Sequence, residues 1–400
     1  MKINFLIVAS LFLTFGSFAS GKNDAKEMRA VIDKGLDAAT VQSKKMAESL
    51  IDQNDKLPRT IGKRNVFTTS NAGAWTSGFF PGVLWYLYEA TGDTLLKEYA
   101  CDYTSRVEKE KYNKGNHDVG FMLYCSFGNG YRLTGNEKYK QVLLKGAESL
   151  STRYKDHIGV IRSWDFNKAV WQYPVIIDNM MNLELLEWAS KKSDNSRFAA
   201  IARSHADVTL KNHFRPDYSC WHVVSYDTIT GQPEKKHTRQ GYSHESSWSR
   251  GEAWALYGYV MMYRETQQKH YLVHAKKVAN YILTHPRMPE DGIPYWDYNA
   301  PDIPDTYRDA SAGAIMASAF IELSTMIQGE LSRKCLMMAE TQLKTLTSPE
   351  YLAEPGTNGN FILKHSVGSL MEHSEVDVPL TYADYYYVEA LLRYQKVKSE

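Results

Sequence analysis

Two aspartates stand where acid–base chemistry would be placed. Asp118 lies in Asn116-His117-Asp118-Val119-Gly120-Phe121, and Asp178 in Pro174-Val175-Ile176-Ile177-Asp178-Asn179-Met180-Met181-Asn182. Each marks the point where an aromatic-rich loop gives way to an apolar helical run. Two carboxyls so placed suit glycan chemistry, which needs one group to deliver a proton and another to orient hydroxyls, activate water or stabilise charge. Asp is also favoured at helix N-termini, where backbone N–H groups lack partners and the helix dipole attracts an anion, so each Asp taken alone fits a capping role as well.

Three further segments carry chemically capable side chains. Trp221 to Asp227 alternates in character and places the His222 imidazole in a loop or short strand, where a lone His is more often a structural residue than a catalyst. Gln240-Gly241-Tyr242-Ser243 through Trp248-Ser249-Arg250-Gly251 to Trp254 is too polar and aromatic for a plain connector, and the Arg250 guanidinium can grip a carboxylate with two parallel hydrogen bonds. Lys364-His365-Ser366-Val367-Gly368-Ser369 stands shortly before Asp384-Tyr385-Tyr386-Tyr387. The chain has no HExxH, no Cys-rich cluster, no GxxxxGK[ST], no GxGxxG after a strand and no GxSxG. Metal, nucleotide and serine-nucleophile chemistries therefore lack their usual residues, no cofactor is expected, and the carboxylates remain.

The elements that must position these residues repeat along the chain. A helix-forming apolar run, a turn and a second helical run recur: Phe79 to Tyr88 leads through Thr91-Gly92-Asp93 to Leu95 to Ala100, and Phe121 to Tyr131 leads through Thr134-Gly135-Asn136 to Tyr139 to Leu144. The plan returns from Met180, from Ala253 and from Ala312. The last run, Tyr385 to Tyr394, has no partner after it, whereas the first, roughly Ala25 to Ile51, has none before it. If these two pair, six hairpins close into a ring, and the expected fold is an all-α (α/α)6 barrel. The loops entering its inner helices would gather Trp75, Asp118, Asp178, Arg250, Asp309 and Asp384 at one end. A linear solenoid is the alternative, but its terminal repeats would need polar caps.

The formal net charge is +1 and no block of Lys or Arg interrupts the chain, which argues against nucleic acid as a partner. A short basic start, the apolar run Phe5 to Phe15 and small residues at Ser17 and Ala19 read as a signal peptide over residues 1–20. No later run is long and apolar enough for a membrane span. Without a linker or low-complexity tract, residues 21–400 read as one catalytic domain, exported and best suited to a periplasm. Cys101, Cys125, Cys220 and Cys335 are far apart and read mostly as buried thiols, one disulfide remaining open.

The motifs quoted around Asp118, Asp178, Gln240 to Gly251 and Tyr385 to Leu391, in this order and over nearly the whole mature chain, resemble glycoside hydrolase family 88, the unsaturated glucuronyl hydrolases. The resemblance implies the same (α/α)6 barrel. It implies an oligosaccharide substrate with a 4,5-unsaturated uronic acid at its non-reducing end, the product of a polysaccharide lyase. It makes Asp178 the general acid/base that protonates C4 and helps deprotonate the water added at C5, and Asp118 the second aspartate. It places His117, His222 and Gln240 near water and substrate, and Trp75, Trp248, Arg250 and Trp254 in a wall that stacks on and grips the unsaturated ring. Lys364, Ser366 and Ser369 become candidates to hold a sulfate. The chain departs from the family pattern at His244-Glu245 and Glu252, which bears on substrate preference. Glycosaminoglycan fragments are the expected substrates; an unsaturated rhamnogalacturonyl hydrolase acting on pectin fragments and a non-catalytic glycan-binding protein are the rival readings. An Asp178 serving as acid requires burial and repulsion from Asp118 to outweigh the helix N-terminus and raise its pKa.

Overall fold

The computed structural model describes residues 15–62 and 65–399, with only the backbone of residues 15–24 and 399. The apolar part of the expected signal peptide before residue 15 lies outside the described residues. Six inner helical staves alternate with six outer ones. The inner staves are α2 (Phe79–Thr91), the broken stave α4 (Val119–Leu123) and α5 (Asn129–Thr134), α7 (Leu183–Ser193), α9 (Ser249–Thr266), α11 (Ala310–Met326) and α13 (Thr381–Ser399). Their outer partners are α3 (Thr94–Val107), α6 (Glu137–Ser151), α8 (Ser196–Asn212), α10 (Lys269–Thr284), α12 (Glu330–Leu346) and, for α13, the N-terminal α1 (Phe15–Ser49). With α1 packed against α13, α2 and α12, the ring closes as an (α/α)6 barrel rather than an open solenoid.

The corners of the hairpins follow from a few residues. Gly92 and Gly135 take left-handed φ of 69° and 66°, a conformation that costs glycine nothing, and end α2 and α5. One residue later Asp93 and Asn136 accept the N–H of Leu95 and Lys138, satisfying the first donors of α3 and α6. Inner and outer helices differ in pattern. Residues Ala310 to Ile321 of α11 are buried on every side, and their Ala, Gly and Ser side chains let α9, α12 and α13 approach closely. The outer α6 and α12 instead bury one stripe and expose the rest.

The two ends of the barrel differ. The entry loops carry four small antiparallel sheets: β1 (Leu57–Ile61) with β2 (Phe67–Ser70), β3 (Tyr154–Lys155) with β4 (Val160–Ile161), β5 (Pro174–Ile176) with β6 (Val223–Tyr226) and β7 (Pro233–His237), and β8 (Ser366–Ser369) with β9 (Ser374–Val378). At the far end an axial cavity of about 760 Å³ opens between the inner staves. Its ionic side chains are largely spent on one another: Arg264 meets Glu184 and Glu322, Arg393 meets Glu322 and Glu389, and Arg132 and Lys396 share Glu89. Glu389 also accepts from Tyr86, Tyr257 and Ser318, so this network ties all six inner staves together beneath the entry end. All four cysteines are free thiols, three buried and Cys101 half-buried.

Candidate active site

Asp118 is delivered by a loop built on its own side chains. Asn113 Oδ1 accepts the N–H of Gly115 and Asn116, and Asn116 Oδ1 accepts that of Asp118 at 3.0 Å. Asp118 then opens α4, yet its carboxylate accepts no backbone N–H there, so capping does not account for it. Its Oδ1 takes a hydrogen bond from Asn182 Nδ2 at 3.3 Å and lies 3.4 Å from His117 Nε2. Asn182 also accepts the Phe121 N–H at 2.9 Å and so joins the start of α4 to the segment carrying Asp178. Gly120 permits that approach, since a Cβ there would stand 2.5 Å from the Asn182 Cα.

Asp178 sits in the 3-10 turn Ile177–Asn182 that precedes α7, not in the α-helix itself. The antiparallel β5–β6 pair, Ile176 opposite Val223, brings it beside His222, and the Ile177 N–H donates to the His222 carbonyl at 3.0 Å. The imidazole orientation is fixed by its own acceptor atom: His222 Nδ1 faces the backbone N–H groups of Arg239 (3.2 Å) and Gln240 (3.3 Å). A nitrogen that accepts cannot carry the proton, so the neutral ring holds it on Nε2, 3.8 Å from Asp178 Oδ2. Neither of those two buried atoms finds a hydrogen-bond partner in the protein, a condition that recurs at sites built to receive substrate.

The electrostatics separate acids from bases. Burial lifts Asp178 from its ordinary 3.8 to about 7; Arg250 opposes the rise and the Asp118 charge adds to it. Burial likewise lifts Asp118 to about 7 against the pull of Asn182 and Arg153. Burial, helped by Arg153, drops His117 to about 3, and burial beside Arg250 and Arg239 takes His222 well below its usual value. Near neutral pH the site therefore holds two neutral imidazoles and a carboxyl pair poised to hold or release a proton, as acid–base work requires.

The structure brings together most of the residues singled out by sequence and alters the part some of them can play. Arg250 is not free to grip a ligand carboxylate: its guanidinium, 1 % exposed, pairs with the fully buried Asp309 at 3.0 Å and donates to the carbonyls of Val367 and Gly368. It thus pins β8 to α9 and α11 while setting the potential at Asp178. Gln240 donates to the same Gly368 carbonyl at 3.0 Å. Trp254 is wholly buried against Phe121 and Tyr386, and Trp248 is 4 % exposed beside His222. They form floor and backing, and of the three tryptophans Trp75, half-buried against Tyr382, keeps an open face. Ser366 and Ser369 lie in β8 with buried hydroxyls that have no partner in the protein. Lys364 is not with them, because its Nζ donates to the Pro349 carbonyl at 2.8 Å on the surface. Asp384 is a backbone clamp, accepting the N–H of Ile362 and Leu363.

Residues passed over in the sequence complete the wall. Trp164 meets the His222 ring edge-on at 5.9 Å, and Arg239 lies over Trp164 and Phe166. The aromatic pair flanking Asp165 in a loop was the available signal. Tyr382 has a buried hydroxyl without a protein partner between Trp75 and Arg250. Glu252, one of the departures from the family pattern, is buried, accepts from Cys220 and Ser247, and is raised by burial to about 7. Among the described residues no group of three or more His, Cys, Asp or Glu is placed to hold a metal, and no helix is long and apolar enough to cross a membrane.

The model of glycosyl hydrolase family 88 matches residues 42–397 of the chain. An unsaturated glucuronyl hydrolase of Formosa agariphila is 49 % identical over 324 residues, 81 % of this chain and 80 % of its own. An unsaturated chondroitin disaccharide hydrolase of Streptococcus agalactiae is 32 % identical over 348 residues, 86 % of each chain. The crystal structure of an unsaturated glucuronyl hydrolase specific for heparin superimposes with a TM-score of 0.90 at 46 % identity, covering 93 % of this chain and 98 % of the other.

Proposed function

Because the chain belongs to glycosyl hydrolase family 88 and is a glycosidase, we propose that it removes the 4,5-unsaturated uronic acid from the non-reducing end of lyase-generated glycosaminoglycan oligosaccharides. The observation that carries this reading is the buried Asp118–Asp178 pair, both raised to about 7, with the His222 Nε2–H turned toward Asp178. The C4=C5 bond of such a sugar is an enol ether, which accepts a proton at C4 and leaves positive charge shared between C5 and the ring oxygen. Protonated Asp178 supplies that proton. Water then adds at C5 and returns a proton to the Asp178 carboxylate, restoring the acid. The hemiketal so formed opens by breaking the bond between C5 and the ring oxygen. The C1 hemiacetal left behind then releases the aglycone, with the uronic acid leaving as a keto-uronate.

Asp118 binds sugar hydroxyls, and its charge adds to the burial that keeps Asp178 protonated near neutrality. Trp75 and Trp164 flank the ring, and Ser366 and Ser369 offer hydroxyls to a sulfate. The resemblance to hydrolases of heparin and chondroitin fragments favours glycosaminoglycan over pectin as the source of substrate. Export through the signal peptide of residues 1–20, to a periplasm, completes the reading and rests on the sequence pattern alone.

The test is the loss of ultraviolet absorbance of the conjugated enol ether in a panel of unsaturated heparin, chondroitin, hyaluronan and rhamnogalacturonan disaccharides. Loss with the wild type and not with Asp178→Asn is expected, first on the heparin or chondroitin members. Turnover of the rhamnogalacturonan member alone would move the substrate to pectin. No loss on any member would overturn the proposal.

A further inference from the structure

On the outer wall, the turn Phe214 to Trp221 reaches over α10, and Tyr218 borders two cavities, one of about 620 Å³ between α8 and α10 and one of about 650 Å³ on the other side of α10, toward Leu331 of α12. Both are within the range of about 300–1,000 Å³ usual for ligand sites. Tyr218 is held at φ 72° by the Arg215–Ser219 turn, a conformation that a bulky residue adopts only under constraint. It projects onto α10, where the Lys277 ammonium lies 4.5 Å above its ring and bonds its hydroxyl. Three residues on, Trp221 carries Arg215 at 4.4 Å and Lys236 at 3.8 Å from its ring. Lys276 lines the larger cavity.

In a chain of formal net charge +1 this is a local concentration of cations. Among the described residues Lys236, Lys276 and Lys277 form no ion pair, in contrast to the saturated network at the far end of the barrel. The nearby acids are partly committed: Asp217 accepts from Ser219, Glu245 lies 3.7 Å from Arg215, and Asp207 faces His270. Arg215 is held in place by the carbonyls of Cys220, His244 and Ser246, while stacking on Tyr218 and Trp221 restrains the Lys277 and Lys236 side chains, which lowers the ordering cost of meeting an anion.

We propose that this face, from Trp221 over Tyr218 and across α10, is a second, non-catalytic site that binds an anionic polysaccharide chain, one bearing repeated carboxylate or sulfate groups. The choice of a glycan over other polyanions rests on the function proposed above. A long chain whose non-reducing end is saturated has no enol ether and cannot be substrate, yet it presents the same repeating anions. Binding it would hold the enzyme where a lyase is generating new unsaturated ends.

The experiment uses full-length protein carrying Asp178→Asn, titrated calorimetrically with size-fractionated heparin whose non-reducing ends are saturated. Removing three charges with Lys236→Gln, Lys276→Gln and Lys277→Gln is expected to weaken binding by at least about tenfold, with a reduced salt slope. The same three substitutions with Asp178 intact are expected to leave disaccharide turnover within about twofold of wild type. Absence of binding, binding unchanged by the lysine substitutions, or binding abolished by saturating unsaturated disaccharide would each overturn the proposal. Single-stranded DNA of equal charge binding as tightly would overturn the glycan assignment. If the wild type turned over no unsaturated disaccharide while lysine-dependent chain binding held, the proposed reaction would fall and the second site would stand.

Discussion

Replacing Asp178 with Asn should stabilise the protein increasingly as pH rises, while abolishing turnover. The folded carboxyl titrates at about 7 against an ordinary value of 3.8, so folding opposes its ionisation. The unfolded chain gives up this proton first; native stability is therefore unaffected below pH 3.8, declines as pH rises toward 7 and levels off above it. At about 1.4 kcal/mol per pKa unit, the penalty from this one group is about 2 kcal/mol at pH 5 and about 4 kcal/mol at pH 8. Asn preserves shape and removes the titration. The stability difference between variant and wild type should therefore widen by about 2–3 kcal/mol from pH 5 to pH 8. Release of the Asp118 proton, made easier once its neighbour is neutral, acts in the same direction. Urea unfolding followed by tryptophan fluorescence at pH 5, 6, 7 and 8 measures the difference. A gap that stays level or narrows with pH would mean that Asp178 is already ionised in the fold, and the argument that it delivers a proton would fail.

Further predictions follow from the surrounding contacts. His222→Ala strands the N–H groups of Arg239 and Gln240 at a cost of about 1–3 kcal/mol, whereas His222→Asn restores an acceptor in place of Nδ1 and should keep stability while losing turnover. Equal unfolding midpoints for the two variants would refute the assigned tautomer. Arg250→Ala leaves Asp309 buried and unpaired and should cost about 3–5 kcal/mol in chemical denaturation. Gly120→Ala, which drives a Cβ onto Asn182, should cost about 1–3 kcal/mol and depress kcat more than it changes KM. With four free thiols, the thermal midpoint should be the same with and without dithiothreitol.

The barrel was legible because the same turn, Thr-Gly-Asp or Thr-Gly-Asn, closes the first two hairpins and because inner and outer helices differ in apolar pattern. The four small sheets were not, apart from the alternation around His222, since strands of two to five residues leave too little periodicity to read. The Asp pair stood out through its flanking residues. The relation between its members did not: it depends on Asn182 reaching back across Gly120, a contact between segments more than sixty residues apart. Arg250 was read as a hand for the ligand because a sequence shows a guanidinium and not its partner, and Asp309 lies 59 residues away. Lys364 was grouped with Ser366 and Ser369 by adjacency, which says nothing of a side chain anchored to Pro349. Trp164 is marked in the sequence only by its pairing with Phe166 around Asp165, and Tyr382 by nothing.

Ring closure also sets a timetable. The stave that completes the barrel, α13, is the last to be synthesised, and its Tyr385 and Glu389 meet Tyr86 of α2, the first inner stave, about 300 residues earlier. At about 5–20 residues per second, some 15–60 s separate the emergence of these neighbours. Until α13 arrives, the inner faces of α2 and α11 lack their shared neighbour and Glu322 lacks Arg393. A chain terminated even twenty residues early would therefore not be a shorter enzyme. It would be a permanently open ring, displaying to chaperones and proteases the surface that the finished protein conceals.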